Sequence, residues 1–209
     1  MRKAVLLFFI IALSTLTFGQ SKDEIQTLVS GDFHLSGFGA PELKISRMND
    51  DLAVMIGGRG GMIFNHQLVL GGGGYGLVND VPVAITPDST RYLNFGYGGF
   101  FLGYIMAPNK LIHLDFNTLI AAGGLGFRDA VFRDWDDEWD EYEDFDVDAH
   151  TDAVLVLEPT LNLILNLTTW MRLGVGASYR YVYGLDNPYI GDLDMSGGSL
   201  TFSLKFGMF

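Results

Sequence analysis

Apolar and polar residues alternate with a period of two over most of this chain. The stretch Ser196–Phe209 shows it most cleanly. There Leu200, Phe202, Leu204, Phe206 and Met208 interleave with Ser199, Thr201, Ser203, Lys205 and Gly207. A β-strand sends successive side chains to opposite faces, so this spacing makes one apolar face and one polar face. The same reading predicts strands over Asp32–Arg47, Leu52–Phe64, Leu68–Val78, Thr90–Met106, Leu111–Arg128, Ala153–Asn166 and Trp170–Leu185. Asn, Asp, Pro and Gly gather in the breaks between them, as turn chemistry requires.

The links alternate in length. Asn65–Gln67, Ala107–Lys110 and Leu167–Thr169 are short, whereas Asn79–Asp88, the stretch after Arg128 and the stretch after Leu185 are long. Only the first link, Met48–Asp51, breaks the alternation by being short. Leu155, Leu157, Leu161, Leu163 and Leu165 share one face of the sixth strand; Leu173, Val175, Ala177, Tyr179, Tyr181 and Tyr183 share one face of the seventh. Leu93, Phe95, Tyr97, Phe101 and Ile105 form a similar row in the fourth, expected on the same outer, apolar surface. The opposite faces carry five bases, Lys44, Arg59, Arg172, Arg180 and Lys205, and three acids, Glu42, Asp115 and Glu158. Charges on a lipid face are costly, whereas in the narrow interior of an eight-stranded barrel they can pair. The expected fold is all-β, an eight-stranded antiparallel up-and-down transmembrane β-barrel over residues 20–209. Glu42, Asp115 and Glu158 are expected to face Arg59, Arg172 and Arg180 across its lumen. Trp170 at the short-turn end, with Tyr179, Tyr181 and Tyr183 at the other, are the expected interface aromatics. A soluble barrel with an apolar interior would show the reverse pattern.

Composition agrees with this picture. The 209 residues include 27 glycines and 13% aromatics, and no interior run approaches the roughly 20 apolar residues of a membrane helix. There is no cysteine, which excludes disulfides, thiolate metal sites and a cysteine nucleophile. Residues 1–19 read as a secretory signal: Arg2 and Lys3, then apolar Ala4–Leu16, then Thr17-Phe-Gly19 before cleavage at Gln20.

Net charge is −12, but it is local: ten of the 25 acidic residues lie between Asp134 and Asp148, leaving 15 against 13 bases elsewhere. With no basic patch, nucleic acid is excluded as a partner. The acidic loop, about 129–152, is the expected outer contact element. Its Asp144, Asp146 and Asp148 alternate as at the start of a calcium loop, so divalent-cation binding is a candidate activity. The glycine and distal glutamate of such a loop are missing, and a solvated, self-repelling loop is the plainer expectation. No other cofactor is expected.

Taken together, the signal sequence, the alternating strands, the loop alternation and the terminal Phe209 resemble the small eight-stranded outer-membrane barrels of Gram-negative bacteria, the OmpA-barrel and OmpX type. The resemblance implies residence in the outer membrane among its lipid and lipopolysaccharide, insertion by the outer-membrane assembly machinery, and a monomer. Phe209 departs from the pattern: it is out of phase with Phe202 and Phe206, so a bulge near Gly207 or a weakened assembly signal is expected. Fold does not fix function here. The expected role is structural or surface-interacting, not enzymatic. The alternatives are a narrow pore for small solutes and a lipid-modifying barrel enzyme. The latter needs a histidine with a serine or carboxylate; His34-x-Ser36, His113-x-Asp115 and His150-x-Asp152 offer the spacing. Gly71, Gly73 and Gly76 match G-x-G-x-x-G without a following helix, so they are read as close-packing positions.

Overall fold

The computed structural model describes residues 33–86, 89–128 and 152–209. Nine strands form one antiparallel sheet. They are β1 (Leu35–Met48), β2 (Asp51–Phe64), β3 (Leu68–Leu77), β4 (Pro82–Thr86), β5 (Ser89–Met106), β6 (Ile112–Arg128), β7 (Asp152–Asn166), β8 (Met171–Tyr183) and β9 (Gly197–Gly207). Each of the eight long strands pairs with its sequence neighbours. β1 pairs with β9, and β3 pairs with β5, so the eight long strands close into a barrel, with β4 added beside β5 at the loop end. Among the described residues there is one helical turn, α1 (Asp192–Met195), in the link between β8 and β9.

Local chemistry sets the hairpins. Asn49 and Asp50 both adopt positive φ, as do Asn65 and His66. The two-residue link after Met48 and the three-residue link after Phe64 both use left-handed backbone at two successive positions, which Asn, Asp and His tolerate best among residues with a side chain. The end of the barrel carrying the links at Asn65–Gln67, Ala107–Leu111 and Leu167–Trp170 is called the turn end, and the opposite end the loop end.

The faces are inverted relative to a soluble protein. Outside, Phe100 is 77% exposed, Ile120 66% and Leu155 65%, while Glu158 and Arg180 inside are fully buried. The outward rows of β7, β8 and β9 are those expected from the alternation.

Three expectations are corrected. Leu93, Phe95, Tyr97, Phe101 and Ile105 point into the lumen, and Phe100, Leu102, Tyr104 and Met106 form the outer row of β5. From Phe95 to Met106 both faces of this strand are apolar or glycine, so alternation alone cannot phase it. The hairpin register does: Gly103 sits opposite Asn117 and Ile105 opposite Asp115, and directly opposed residues share a face. Second, the link over Asn79–Asp88 contains β4. Val81 and Val83 are buried while Pro82 and Ala84 are exposed, a short alternation that its prolines disguise. Third, β9 has no bulge. Its register with β1 is the same on both sides of Ala40–Pro41 and holds to Phe38–Gly207, and Phe209 lies beyond the end of the strand.

The lumen glycines are spacers. A Cβ on Gly57 would lie 2.0 Å from the Gly74 carbonyl and 2.6 Å from the Tyr75 ring. One on Gly71 would lie 2.8 Å from the Phe101 ring. Their absence leaves volume for Tyr75, Phe101 and Arg59.

Candidate functional site

The lumen is the site. Every strand of the barrel contributes to it, because each odd or even row that faces inward is brought to a common axis by closure. It is stacked in three layers.

At the loop end, β1, β2, β5, β6, β7 and β8 contribute Met48, Met55, Leu93, Phe95, Leu125, Val156 and Val182, all buried. Val81 and Ile190 come from the links, and α1 inserts Met195, which is fully buried. This layer is a packed apolar plug. Arg180 lies within it. Its guanidinium donates to the Met195 carbonyl at 2.9 Å and to Ser46 Oγ at 3.4 Å, tying the link to the barrel wall.

The middle layer is polar. Glu158 Oε2 accepts from Lys44 Nζ and from Tyr97 O–H, each at 2.7 Å, and Glu158 Oε1 accepts from Ser178 Oγ at 2.6 Å. Glu42 accepts from Arg59 Nε at 2.6 Å through one oxygen and from Tyr75 O–H at 2.6 Å through the other. Lys44 Nζ also sits 3.5 Å from the centre of the Tyr75 ring. Removed from water, these charges are tolerated only because each is paired and further hydrogen-bonded.

The third layer is at the turn end. Asp115 pairs with Lys205 and accepts from Asn117 Nδ2 at 3.0 Å. Arg172 is buried and stacks on the Phe209 ring at 3.8 Å. Phe209 thus turns toward the lumen mouth, which is why it is out of phase with Phe202 and Phe206.

All eight charged residues singled out from the sequence lie inside, but their pairing differs from the expected one. The lysines Lys44 and Lys205 take two of the three carboxylates, and only Glu42–Arg59 joins an acid to an expected arginine. Among the described residues Arg172 and Arg180 make no ion pair. Sequence reasoning missed the aromatic hydroxyls of Tyr75 and Tyr97. The signal was present, since both sit among lumen-facing glycines in rows whose register is fixed by their neighbours. Outside, Tyr179, Tyr181 and Tyr183 are exposed toward the loop end and Trp170, also exposed, stacks on Phe206 at the turn end.

The histidines are dispersed. His34 stacks on His66 at 4.3 Å near the turn end, with its backbone N–H bound to Asn65 Oδ1. His113 is buried beside Asp115, with Nδ1 3.4 Å from the Lys110 carbonyl. Among the described residues no group of three metal-ligating side chains forms. His150, Asp144, Asp146 and Asp148 lie outside the described residues, as does the signal sequence.

Similar solved structures share this architecture. The N-terminal β-barrel domain of Pseudomonas aeruginosa OprF aligns over 83% of this chain and 97% of its own, at 9% identity and a TM-score of 0.54. The fold is that of the small eight-stranded outer-membrane barrels. Neisserial surface protein A aligns over 84% of this chain and 99% of its own, at 10% identity and a TM-score of 0.53. Ail of Yersinia pestis, in complex with the heparin analogue sucrose octasulfate, aligns over 83% and 98% at 12% identity and a TM-score of 0.50. At these identities the likeness is one of fold. No protein-family model matches the sequence, and no curated protein does.

Proposed function

We propose that this chain is a monomeric outer-membrane barrel with a structural or surface-interaction role, and that its lumen is a plug and not a pathway. The observation that carries this reading is the filled interior. Buried ion pairs at mid-height and an apolar layer at the loop end lie in series, and two chambers within the lumen hold only about 10 Å³ each. The exposed apolar belt suits lipid, since so large a patch does not survive on a soluble monomer. By the loop alternation, the loop end faces outward and both chain ends face the periplasm. On this reading residues 1–19 direct export and the assembly machinery inserts the barrel. It lies among lipopolysaccharide and phospholipid in the outer membrane of a Gram-negative bacterium, and does no chemistry of its own.

The acidic segment around 129–152 is then the contact element on the outer side, with a divalent cation such as calcium as its candidate ligand. Support for this comes from sequence alone: ten carboxylates in fifteen residues. Two experiments test the reading. In planar bilayers the purified protein is expected to show no large steady conductance; a large steady current would replace the plug with a narrow pore. Calcium titration followed by tryptophan fluorescence addresses the loop, where Trp135 and Trp139 are the reporters. A flat response at millimolar calcium removes the cation from the proposal.

A further inference from the structure

We propose that the turn-end chamber of the lumen binds a small monovalent anion of halide size. The chamber holds about 10 Å³ of free volume, room for one water-sized occupant. Its polar lining is Arg59, His113, Asp115, Arg172 and Lys205, and apolar side chains, including the Phe209 ring, complete it.

Two features of this lining select an anion. The first is a set of unpartnered nitrogens. Arg59 Nη2, His113 Nε2 and Arg172 Nε are all buried without a hydrogen-bond partner, on residues only 4–7% exposed. The two arginine atoms can only donate. The second is charge. Asp115 is shared with Lys205, and Glu42 is taken by Arg59 and Tyr75. Among the described residues Arg172 has no carboxylate within ion-pair distance, since the nearby Asp115 is bonded to Lys205, and the Phe209 face against its guanidinium brings no formal charge. Arginine does not shed its proton, so its burial calls for a counter-charge. Water would satisfy a donor and leave the surplus charge in place. A monatomic anion supplies acceptor capacity in every direction together with the missing negative charge. So small a space favours a monatomic ion over phosphate, sulfate or a carboxylate ligand.

The test uses the full chain, refolded in detergent, with bromide as the probe. Crystals soaked in sodium bromide are expected to show an anomalous peak within hydrogen-bonding reach of Arg172 and Arg59. In solution the apparent melting temperature is expected to be about 2–4 °C higher in sodium chloride or bromide than in sodium gluconate at equal ionic strength. Arg172→Gln should abolish that difference, and Arg172→Lys, which keeps the charge, should retain part of it. Three results would overturn the proposal. They are no bromide peak in the chamber, a peak at soaking concentration with no halide effect in solution, or a halide effect undiminished in Arg172→Gln. If Arg172→Gln does not fold, the wild-type peak and the Arg172→Lys melting series still decide.

Discussion

Glu158 is the side chain on which the middle of the lumen turns. It is fully buried and accepts from Lys44, Tyr97 and Ser178. Replacing it with glutamine preserves shape and most acceptor capacity but strands the Lys44 ammonium, which is only 2% exposed. Breaking a buried pair from one side costs about 3–5 kcal/mol, whereas replacing both members is often close to neutral. Glu158→Gln and Lys44→Met are therefore each expected to lower stability by several kcal/mol, and the double variant to recover most of the loss. Urea unfolding in lipid vesicles would measure it. Additive losses would mean that the pair contributes little as a pair. The glycines give a second residue-scale prediction. A methyl on Gly57 meets the Gly74 carbonyl at 2.0 Å, whereas one on Gly39 meets nothing within 4 Å. Gly57→Ala should cost about 1–3 kcal/mol through overpacking, and Gly39→Ala should change stability little in the same assay.

At the scale of the element, legibility depended on contrast between the two faces of a strand. β7, β8 and β9 set Leu, Val, Phe and Tyr against Glu, Thr, Asn, Arg, Ser and Lys, and there the alternation gives both the strand and its orientation. β5 has no such contrast. Phe95, Tyr97 and Phe101 on one face oppose Phe100, Leu102 and Tyr104 on the other, and a one-residue shift in phase exchanges them. The missing information lay in the neighbour, because Asp115 and Asn117 of β6 are polar and their cross-strand partners must face the same way. The ion pairs were less legible still. Alternation gives the face on which Lys44, Arg59 and Arg172 lie, but partner choice depends on strand tilt and side-chain reach. The phase of β5 is open to test. Phe100 is 77% exposed on the outer face of the barrel. An arginine there is expected to cost about 2–4 kcal/mol if the position lies near the bilayer midplane. The same change at Leu163 in β7, 52% exposed, should behave alike. If urea unfolding in vesicles finds Phe100→Arg tolerated, β5 presents its other face to lipid.

For the whole molecule, the proposed plug amounts to two seals in series, and this sets what opening it would take. The apolar plug at the loop end rests on Met55, Phe95 and Met195; the polar layer below it is held by Lys44–Glu158 and Arg59–Glu42. An ion crossing the barrel must pass both, so the current is governed by whichever remains intact. Trimming the plug alone, as in Met55→Gly with Phe95→Ala, leaves the charged layer shut. Replacing Lys44 and Glu158 with smaller neutral residues leaves the plug. Neither variant is expected to raise steady conductance above the wild-type baseline in planar bilayers. The combination of the two is expected to give small, steady, salt-dependent currents, because the eight-stranded wall encloses little more than the side chains that fill it. The barrel ladder is independent of those side chains, so the combined variant should keep its strand content by circular dichroism while its stability falls from the cavities created. If trimming the plug alone opened a full current, the Lys44–Glu158 layer would not be a seal, and the polar core would serve to position Tyr75 and Tyr97 but not to close the lumen.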